Sequence, residues 1–349
     1  MPDHSDTDFD QARLGAYLAD VWPEAGRLTG VHRFKGGQSN PTYRLDFENA
    51  CAVLRRKPFG TLLKSAHAIE REYRVQDALK GTDVPVARMI HLCEDPEVIG
   101  AAFYVMDHVD GRVLWDPALS EIPRPDRRAY YAAMAGALAA LHRVDPEAVG
   151  LADFGRPGNY FERQIARWTT QYRASETERR PDMDRVIAWL GDTPCPADDR
   201  SALVHGDYRI DNMIFDPTRP EILCFLDWEL STIGHPFADI SYQCMQWRLP
   251  NQGVFRGLGG IDRAAEGLPT EEEYLAMYCE AAGIGGIPHW SYYLVFNFFR
   301  LAAILDGVYR RVLDGNASDA ERGRKMAASI PMLARMAIEI IDGGDRHLA

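Results

Sequence analysis

Three polar side chains in the second half of the 349-residue chain lie at the ends of apolar runs. Asp207 follows the run 203–204, Asn212 comes five residues later, and Asp227 follows the run 225–226. A carboxylate can accept or orient the proton of an attacking hydroxyl, whereas an amide and a second carboxylate offer hard oxygen ligands to Mg²⁺. These residue types at this spacing suit phosphoryl transfer from a nucleotide.

The sequence around these residues also matches a known pattern. His205-Gly206-Asp207 followed by Asn212 resembles the H-G-D-x-x-x-x-N loop of the aminoglycoside phosphotransferase and choline kinase-like family, and Asp227-Trp228-Glu229 resembles its metal-binding D-x-[DE]. Three such matches in order are far more specific than any one alone. The resemblance implies that Asp207 is the catalytic base, that Asn212 and Asp227 hold Mg²⁺, and that His205 and Glu229 support them.

Composition and charge limit the class of protein. A hydrophobic content of 46% and a charged content of 26% are ordinary for a soluble globular protein. The formal net charge of -12 argues against a nucleic-acid-binding surface, and residues 1–10 lack the pattern of a secretory signal. The six cysteines form no C-x-x-C pair, and no apolar run is long enough to span a membrane. We therefore expect a cytoplasmic protein with no nucleic-acid or membrane partner.

The elements that must position these side chains follow from apolar periodicity. The pattern predicts helices over 9–21, 67–79, 130–142, 160–173, 186–190, 272–282, 290–313 and 320–341, a helix that opens near 236, and strands over 31–34, 42–47, 51–55, 89–92 and 103–106. Residues 1–8 are predicted to be a disordered leader. No internal repeat or low-complexity tract interrupts this order.

Residues 35–41 join the first two predicted strands and are rich in small side chains. Such a loop can fold over phosphates and present main-chain N–H groups to them. An ordinary hairpin loop is the alternative explanation. The positions of Gly36, Gly37, Ser39 and Asn40 resemble the nucleotide loop of the family, which implies that these residues bind the nucleotide.

Arg55 ends the third predicted strand, where the family usually has a phosphate-binding lysine. Since strand side chains alternate, Val53 and Arg55 share one face, and that face is predicted to look at the nucleotide. Lys57 is the alternative phosphate ligand if Pro58 bends the chain inward. By analogy with kinases, Glu72 on the 67–79 helix is predicted to pair with Arg55.

The stretch Met106, Asp107, His108 and Val109 resembles the family's hinge between lobes, where main-chain groups bind the adenine edge. The implied fold is α+β and protein-kinase-like. It has a small N-terminal lobe over 1–107 with an antiparallel sheet, and a larger, mainly helical C-terminal lobe over 108–349.

Further side chains are assigned supporting or substrate roles. Asp239 is expected to turn back and brace the catalytic loop, and His235 is expected to be structural. Arg163 and Arg167 lie four residues apart and are candidates for an anionic substrate group, with a solvated helix face as the alternative. The glycine-rich segment 253–267 is a candidate substrate loop.

The resemblance implies an enzyme that transfers the γ-phosphoryl group of ATP, or alternatively GTP, to a small-molecule hydroxyl with the help of Mg²⁺. The segments 37–43, 53–58, 160–173 and 227–229 resemble the branch of kinase-like domains fused to acyl-CoA dehydrogenases, which act on hydroxyacyl-CoA thioesters. Alternatives are an aminoglycoside O-phosphotransferase, a kinase of the choline or homoserine type, and an inactive pseudokinase that serves as a binding module.

Overall fold

A computed structural model describes residues 7–34, 40–59, 68–316 and 319–343. In this part of the chain a strand-rich region precedes a mainly helical one, as predicted for an α+β protein. The helices are α1 Gln11–Val21, α2 Ile69–Ala78, α3 Arg124–Arg143, α4 Tyr160–Ser175, α5 Pro181–Asp192, α6 Pro236–Cys244, α7 Glu271–Ala282, α8 Trp290–Leu313, α9 Ala320–Ala327 and α10 Ile330–Asp342. The strands are β1 Leu28–Arg33, β2 Thr42–Phe47, β3 Cys51–Arg56, β4 Met89–Cys93, β5 Phe103–Asp107, β6 Arg112–Val113, β7 Ala202–Val204, β8 Met213–Phe215, β9 Ile222–Phe225 and β10 Thr232–Gly234.

The N-terminal region is built on an antiparallel sheet with the strand order β1-β2-β3-β5-β4. Side chains alternate between its faces. One face packs on α1, where Leu14 and Leu18 meet Tyr43, Leu45 and Leu54 in a buried apolar cluster. The other face is therefore left for α2 and the functional side chains.

Residue Asp8 belongs to this packed region. It accepts hydrogen bonds from the Tyr43 hydroxyl at 2.8 Å and from Arg56, whose side chain is almost fully buried. Phe9 adds an edge contact to the Tyr43 ring at 5.1 Å. The prediction of a disordered leader over 1–8 is thus wrong for Asp8, because a buried arginine needs a carboxylate partner. Residues 1–6 lie outside the described part of the chain.

The C-terminal region is organised around α8. Nearly every side chain in its first four turns is buried, as expected for a helix that is apolar on all sides. The helices α4, α6 and α10 pack around it, and α3 packs on α7. None of the described helices combines the length and apolar composition that crossing a lipid bilayer requires.

The predicted helix over 320–341 is two helices, because α9 ends at Ala327 and α10 begins at Ile330. Pro331 lies in the first turn of α10, where its missing N–H costs nothing. Inside one continuous helix the same ring would clash with the carbonyl group four residues earlier. The single-helix prediction was wrong because it followed apolar spacing and ignored this proline.

Two small sheets carry the loops with the polar motif residues. Strands β7 and β10 pair with each other, and β8 lies between β6 and β9. The segment 205–212 leaves β7 and enters β8, and the segment 226–231 leaves β9 and enters β10. The two segments emerge side by side, because the Leu226 N–H donates to the Asn212 carbonyl at 2.8 Å.

Candidate active site

Gly206 gives the loop after β7 its close approach to the neighbouring loop. Its φ is +85°, a conformation that side chains other than glycine rarely adopt. A Cβ atom at this position would lie 2.6 Å from the Leu230 carbonyl oxygen. The glycine of the His-Gly-Asp motif is therefore required by backbone geometry.

Asp239 in the first turn of α6 holds the same loop, as predicted. Its two carboxylate oxygens accept hydrogen bonds from the main-chain N–H groups of His205 at 2.6 Å and Gly206 at 2.9 Å. Burial opposes ionisation, but the hydrogen bond and charge of His142 outweigh it and keep the pKa of Asp239 below its usual value. A buried carboxylate whose pKa is lowered thus fixes the start of the loop over 205–212.

The carboxylate of Asp207 is held by two hydrogen-bond donors and one ionic contact. The Tyr242 hydroxyl donates to Oδ1 at 2.7 Å, and the Asn212 amide donates to Oδ2 at 2.8 Å. Arg209 Nε lies 3.3 Å from Oδ1, an ionic contact without hydrogen-bond alignment. Burial would raise the pKa of Asp207, but Arg209 and then Tyr242 keep it below its usual value. The candidate base is therefore ionised and oriented.

Sequence reasoning missed Tyr242 and Arg209. Both had a detectable signal, since Arg209 follows Asp207 by two residues and Tyr242 follows Asp239 by three, which places it on the same helix face. Identifying Tyr242 required knowing that α6 lies along the loop over 205–212.

Asn212 and Asp227 lie in the two adjacent segments. The Asn212 amide nitrogen donates to Asp207 through both the main-chain oxygen at 2.9 Å and Oδ2, so the amide oxygen points elsewhere. Asp227 has φ +63°, and its side chain remains 36% exposed. His205 steadies this turn by a hydrogen bond between Nε2 and the Leu226 carbonyl at 2.9 Å.

The donor set fits Mg²⁺, because an amide oxygen and a carboxylate are hard ligands. In the described part of the chain no cluster of three or more His, Cys, Asp or Glu side chains is arranged to hold a metal ion. A magnesium ion at Asn212 and Asp227 would therefore need further oxygen ligands, such as those of a bound phosphate.

Arg55 connects the two regions of the molecule. Its Nε lies 2.8 Å from Glu72 Oε2, in an ionic contact without hydrogen-bond alignment, and its Nη2 donates to Asp227 Oδ1 at 2.8 Å. Glu229 is further away, 3.9 Å from Nη2. Lys57 is turned away and pairs with Glu70. The predicted contact between Arg55 and Glu72 is thus present, and the strand register agrees with it.

Glu72 is buried within this group. It accepts hydrogen bonds from the Asn40 amide at 2.8 Å and the Tyr104 hydroxyl at 3.2 Å. Burial raises the pKa of Glu72, and the charge of Arg55 offsets part of that increase. The side chain of Asn40 therefore supports Glu72, whereas a direct nucleotide contact was predicted. Gly36, Gly37 and Ser39, predicted for the same loop, lie outside the described residues.

The predicted hinge is only partly available to a nucleotide. The N–H groups of Asp107 and His108 donate to the carbonyls of Arg88 at 2.9 Å and Cys51 at 3.3 Å. Met106 pairs within the sheet. These two N–H groups are therefore engaged by extended sheet pairing, and the predicted adenine contacts over 107–109 are left to the other main-chain groups of the segment. No main-chain bond of the Val109 N–H is seen within the described ranges.

Arg163 and Arg167 are engaged elsewhere. Arg163 donates to the carbonyls of Gly158 and Arg156 and so closes the loop before α4, where Asn159 is left-handed at φ +46°. The guanidinium of Arg167 lies 5.3 Å from the centre of the Trp168 ring. The observed contacts give this pair local roles and do not support the predicted anion site.

A cleft of about 470 Å³ is lined by Tyr242 and Arg209. Since both side chains contact Asp207, the cleft lies next to this carboxylate. Part of the predicted substrate loop over 253–267 also reaches it. Its lining mixes basic and apolar side chains: Trp115, Pro117, Arg209, Ile210, Asp211, Tyr242, Met245, Gln246, Leu249, Gly253, Val254, Phe255, Arg256, Leu301, Arg322 and Met326.

Comparison with known proteins identifies related sequences. The model of the phosphotransferase enzyme family matches residues 30–290. Acyl-CoA dehydrogenase family member 10 of Mus musculus is 47% identical over 305 residues, which cover 86% of this chain and 28% of that protein. Acyl-CoA dehydrogenase family member 11 of Gallus gallus is 41% identical over 340 residues, which cover 95% of this chain and 43% of that protein. The chain therefore spans less than half the length of these two relatives.

Solved structures share the fold. A candidate aminoglycoside phosphotransferase from Ralstonia eutropha JMP134 is 47% identical, with a TM-score of 0.88, and the match covers 97% of this chain and 100% of that one. A second match is a thermostable mutant of aminoglycoside phosphotransferase APH(4)-Ia in a ternary complex with AMP-PNP and hygromycin B. Its TM-score is 0.61 at 15% identity, and the match covers 95% of this chain and 99% of that one. These similarities confirm the predicted kinase-like fold.

Proposed function

Because the chain belongs to the phosphotransferase enzyme family, as its sequence motifs indicated, we propose that it transfers the γ-phosphoryl group of ATP to a small-molecule hydroxyl. The observation that carries this proposal is the group formed by Asp207, Asn212, Asp227 and Arg55. Arg55 on β3 donates to Asp227. Asn212 accepts the N–H of Leu226, which precedes Asp227, and donates its side-chain amide to Asp207. The base and the phosphate-binding groups are therefore held in one structure.

Asp207 is proposed to orient the acceptor hydroxyl and accept its proton as the bond to phosphorus forms. Tyr242 and Asn212 fix its carboxylate, so little reorganisation is needed during the reaction. The arrangement disfavours the pseudokinase alternative, since a mere binding module needs no oriented base.

Asn212 and Asp227 are proposed to hold Mg²⁺ through their side-chain oxygens. When bound, the ion supplies charge neutralisation for the donor phosphates. Arg55, positioned by Glu72, is proposed to contact the same phosphates with its guanidinium fork. The glycine loop with Gly36, Gly37 and Ser39 and the hinge with Val109 remain proposed nucleotide contacts.

The donor nucleotide is proposed to be ATP, with GTP as the alternative. APH(4)-Ia was solved with AMP-PNP, whereas aminoglycoside 2'-phosphotransferase-IIIa was solved with GDP. The Val109 N–H at the hinge can contact the purine of either nucleotide, so the distinction depends on the exocyclic groups of the base.

The acceptor is proposed to be a hydroxyacyl-CoA thioester. Support comes from the names of two relatives, acyl-CoA dehydrogenase family members 10 and 11. This chain corresponds to a part of each of these proteins. Among the described residues, the lining of the cleft beside Asp207 is also basic, with Arg209, Arg256 and Arg322 against the acidic Asp211. Aminoglycosides and choline are cationic, and such a lining repels them.

Initial-rate measurements of ADP or GDP release test the proposal. The panel contains hydroxyacyl-CoAs of several chain lengths, kanamycin, choline and homoserine, with MgATP or MgGTP as donor and Asp207→Asn as the inactive control. We expect nucleotide consumption to rise with a hydroxyacyl-CoA and a phosphorylated product to form in equal amount. Stimulation by kanamycin alone would contradict the acceptor, and no transfer to any acceptor would contradict the activity.

A further inference from the structure

The segment 250–259 forms a loop that is closed at its base and open towards the cleft. The Gly257 N–H donates to the Pro250 carbonyl at 2.9 Å, and the Gly259 N–H donates to the Leu249 carbonyl at 2.8 Å. A Cβ atom on Gly257 would collide with the Leu249 carbonyl oxygen, so this close approach requires glycine. The fixed base presents Val254, Phe255 and Arg256 to the cleft.

Arg256 at the tip of this loop differs from Arg209, the cationic residue that contacts Asp207. Arg209 is engaged, because it lies 3.3 Å from Asp207 and 3.1 Å from Asp211. Arg256 is exposed and makes no ion pair or hydrogen bond with any residue in the described ranges. A guanidinium that lines a cleft without a carboxylate partner is available to an anionic ligand.

Apolar side chains accompany this charge. Trp115 is 70% exposed and Val254 is 45% exposed, and both line the same cleft. Large apolar side chains exposed together beside a concave site are typical of ligand-binding surfaces. The indole face can stack on a planar group of a ligand.

We infer that Arg256 is a specificity-determining residue for the acceptor, which it binds through an anionic group remote from the reacting hydroxyl. Trp115 and Val254 cover the neighbouring apolar or planar part of the same molecule. The inference rests on the proposed function for the location of the reacting hydroxyl at Asp207. It extends that proposal by assigning acceptor selection to the loop over 250–259.

The test compares Arg256→Glu with Arg335→Glu, which makes the same charge change at an exposed position of α10 that does not line the cleft. The acceptors are one hydroxyacyl-CoA and the same hydroxyacyl group on pantetheine, which lacks the nucleotide phosphates. We expect Arg256→Glu to raise the KM for the CoA ester about tenfold or more, the usual effect of losing a charge-assisted contact. The KM for ATP and for the pantetheine ester should change less than about twofold, and Trp115→Ala should raise the KM for the CoA ester.

The inference would be overturned if Arg256→Glu and Arg335→Glu raised the KM for the CoA ester equally. It would also be overturned if Arg256→Glu raised the KM for the CoA ester and for the pantetheine ester by the same factor. Calorimetric titration of CoA itself into the wild type and both variants distinguishes a failure of the loop assignment from a failure of the proposed phosphoryl transfer. If CoA binds the wild type and Arg256→Glu alone weakens it at least about tenfold, the loop assignment stands even without turnover. If CoA does not bind, or binds all three proteins equally, the assignment is wrong.

Discussion

The hydroxyl of Tyr242 donates a 2.7 Å hydrogen bond to Oδ1 of Asp207. Three residues earlier in the same helix, Asp239 accepts the main-chain N–H groups of His205 and Gly206. One face of α6 therefore fixes both the backbone of the catalytic loop and the carboxylate it carries. If Asp207 is the base, as proposed, α6 positions it even though this helix belongs to neither motif.

Tyr242→Phe should lower kcat by about 10- to 150-fold while leaving the KM for ATP nearly unchanged. A hydrogen bond to a charged group contributes roughly 1.5–3 kcal/mol, and the loss falls on the orientation of Asp207, not on the nucleotide. Steady-state kinetics with the best acceptor measure both constants. Tyr274→Phe is the matched control, since this buried phenol has no hydrogen-bond partner among the described residues. Equal kinetics for the two variants would refute the orienting role.

Asp207→Asn should reduce kcat by about 10²–10⁴-fold, the range typical of a lost acid–base group. The amide preserves the shape of the side chain but cannot accept the proton of the acceptor hydroxyl. Binding of ATP, measured by calorimetry, should persist because Arg55, Asn212 and Asp227 remain in place. Near-normal turnover in this variant would show that Asp207 is not the base.

Removing Asp227 should have a larger effect on magnesium-dependent nucleotide binding than removing Asn212. A carboxylate carries a full charge and an amide does not, and Asp227 also contacts Arg55. Calorimetry of ATP binding with Mg²⁺ and with excess chelator should show loss of the Mg²⁺-supported affinity in Asp227→Ala and a partial loss in Asn212→Ala. Full-affinity ATP binding in the presence of chelator would contradict a metal requirement.

Much of this site followed from the sequence because local rules determined it. Strand alternation placed Arg55 and Val53 on one face, and the loop spacing brought Asn212 to Asp207. Tyr242 and Arg256 were not found as individual site residues, since their roles depend on how α6 and the loop over 250–259 pack beside the catalytic loop. Helical spacing places Tyr242 on the same face as Asp239, but one sequence does not show which loop that face packs against.

The same distinction applies to two other predictions. The candidate anion site at Arg163 and Arg167 treated charge on a helix as available, whereas Arg163 donates to nearby carbonyls and Arg167 lies over an indole ring. Asp8 was assigned to a leader because its neighbours are polar, although its partner Arg56 is buried 48 residues later in the chain. In each case the partner was invisible until the fold brought it close.

Arg55, and not Lys57, is expected to contact the nucleotide phosphates. Arg55→Ala should raise the KM for ATP and lower kcat, and Arg55→Lys should restore part of both, because charge at this position neutralises phosphate. Lys57→Ala should change little, since Lys57 pairs with Glu70 on the surface of α2. The two alanine variants tested side by side in an ATP titration decide the point. A harmful Lys57→Ala with a silent Arg55→Ala would require a different nucleotide position.

His235 caps α6 in a buried position and supplies a pH-dependent element of stability. Its Nδ1 accepts the Phe237 N–H at 3.1 Å, and its Nε2 lies 3.5 Å from Asp198 Oδ2 without a hydrogen bond. Burial, reinforced by the charges of Arg200 and His142 and opposed by Asp198, lowers the pKa of His235 to about 4. The folded protein therefore keeps this ring neutral.

Acidification from pH 7 to pH 5 should destabilise the wild type by about 2 kcal/mol more than His235→Asn. The folded pKa of His235 lies below the unfolded value of about 6.5, so its contribution is complete above about pH 6.5 and is lost as the pH falls towards 4. Asparagine can still cap the helix but does not titrate. Urea unfolding at both pH values measures the difference, with the exposed His32→Asn as control. An equal loss of stability in the wild type and in His235→Asn would show that this histidine is not the buried neutral group responsible.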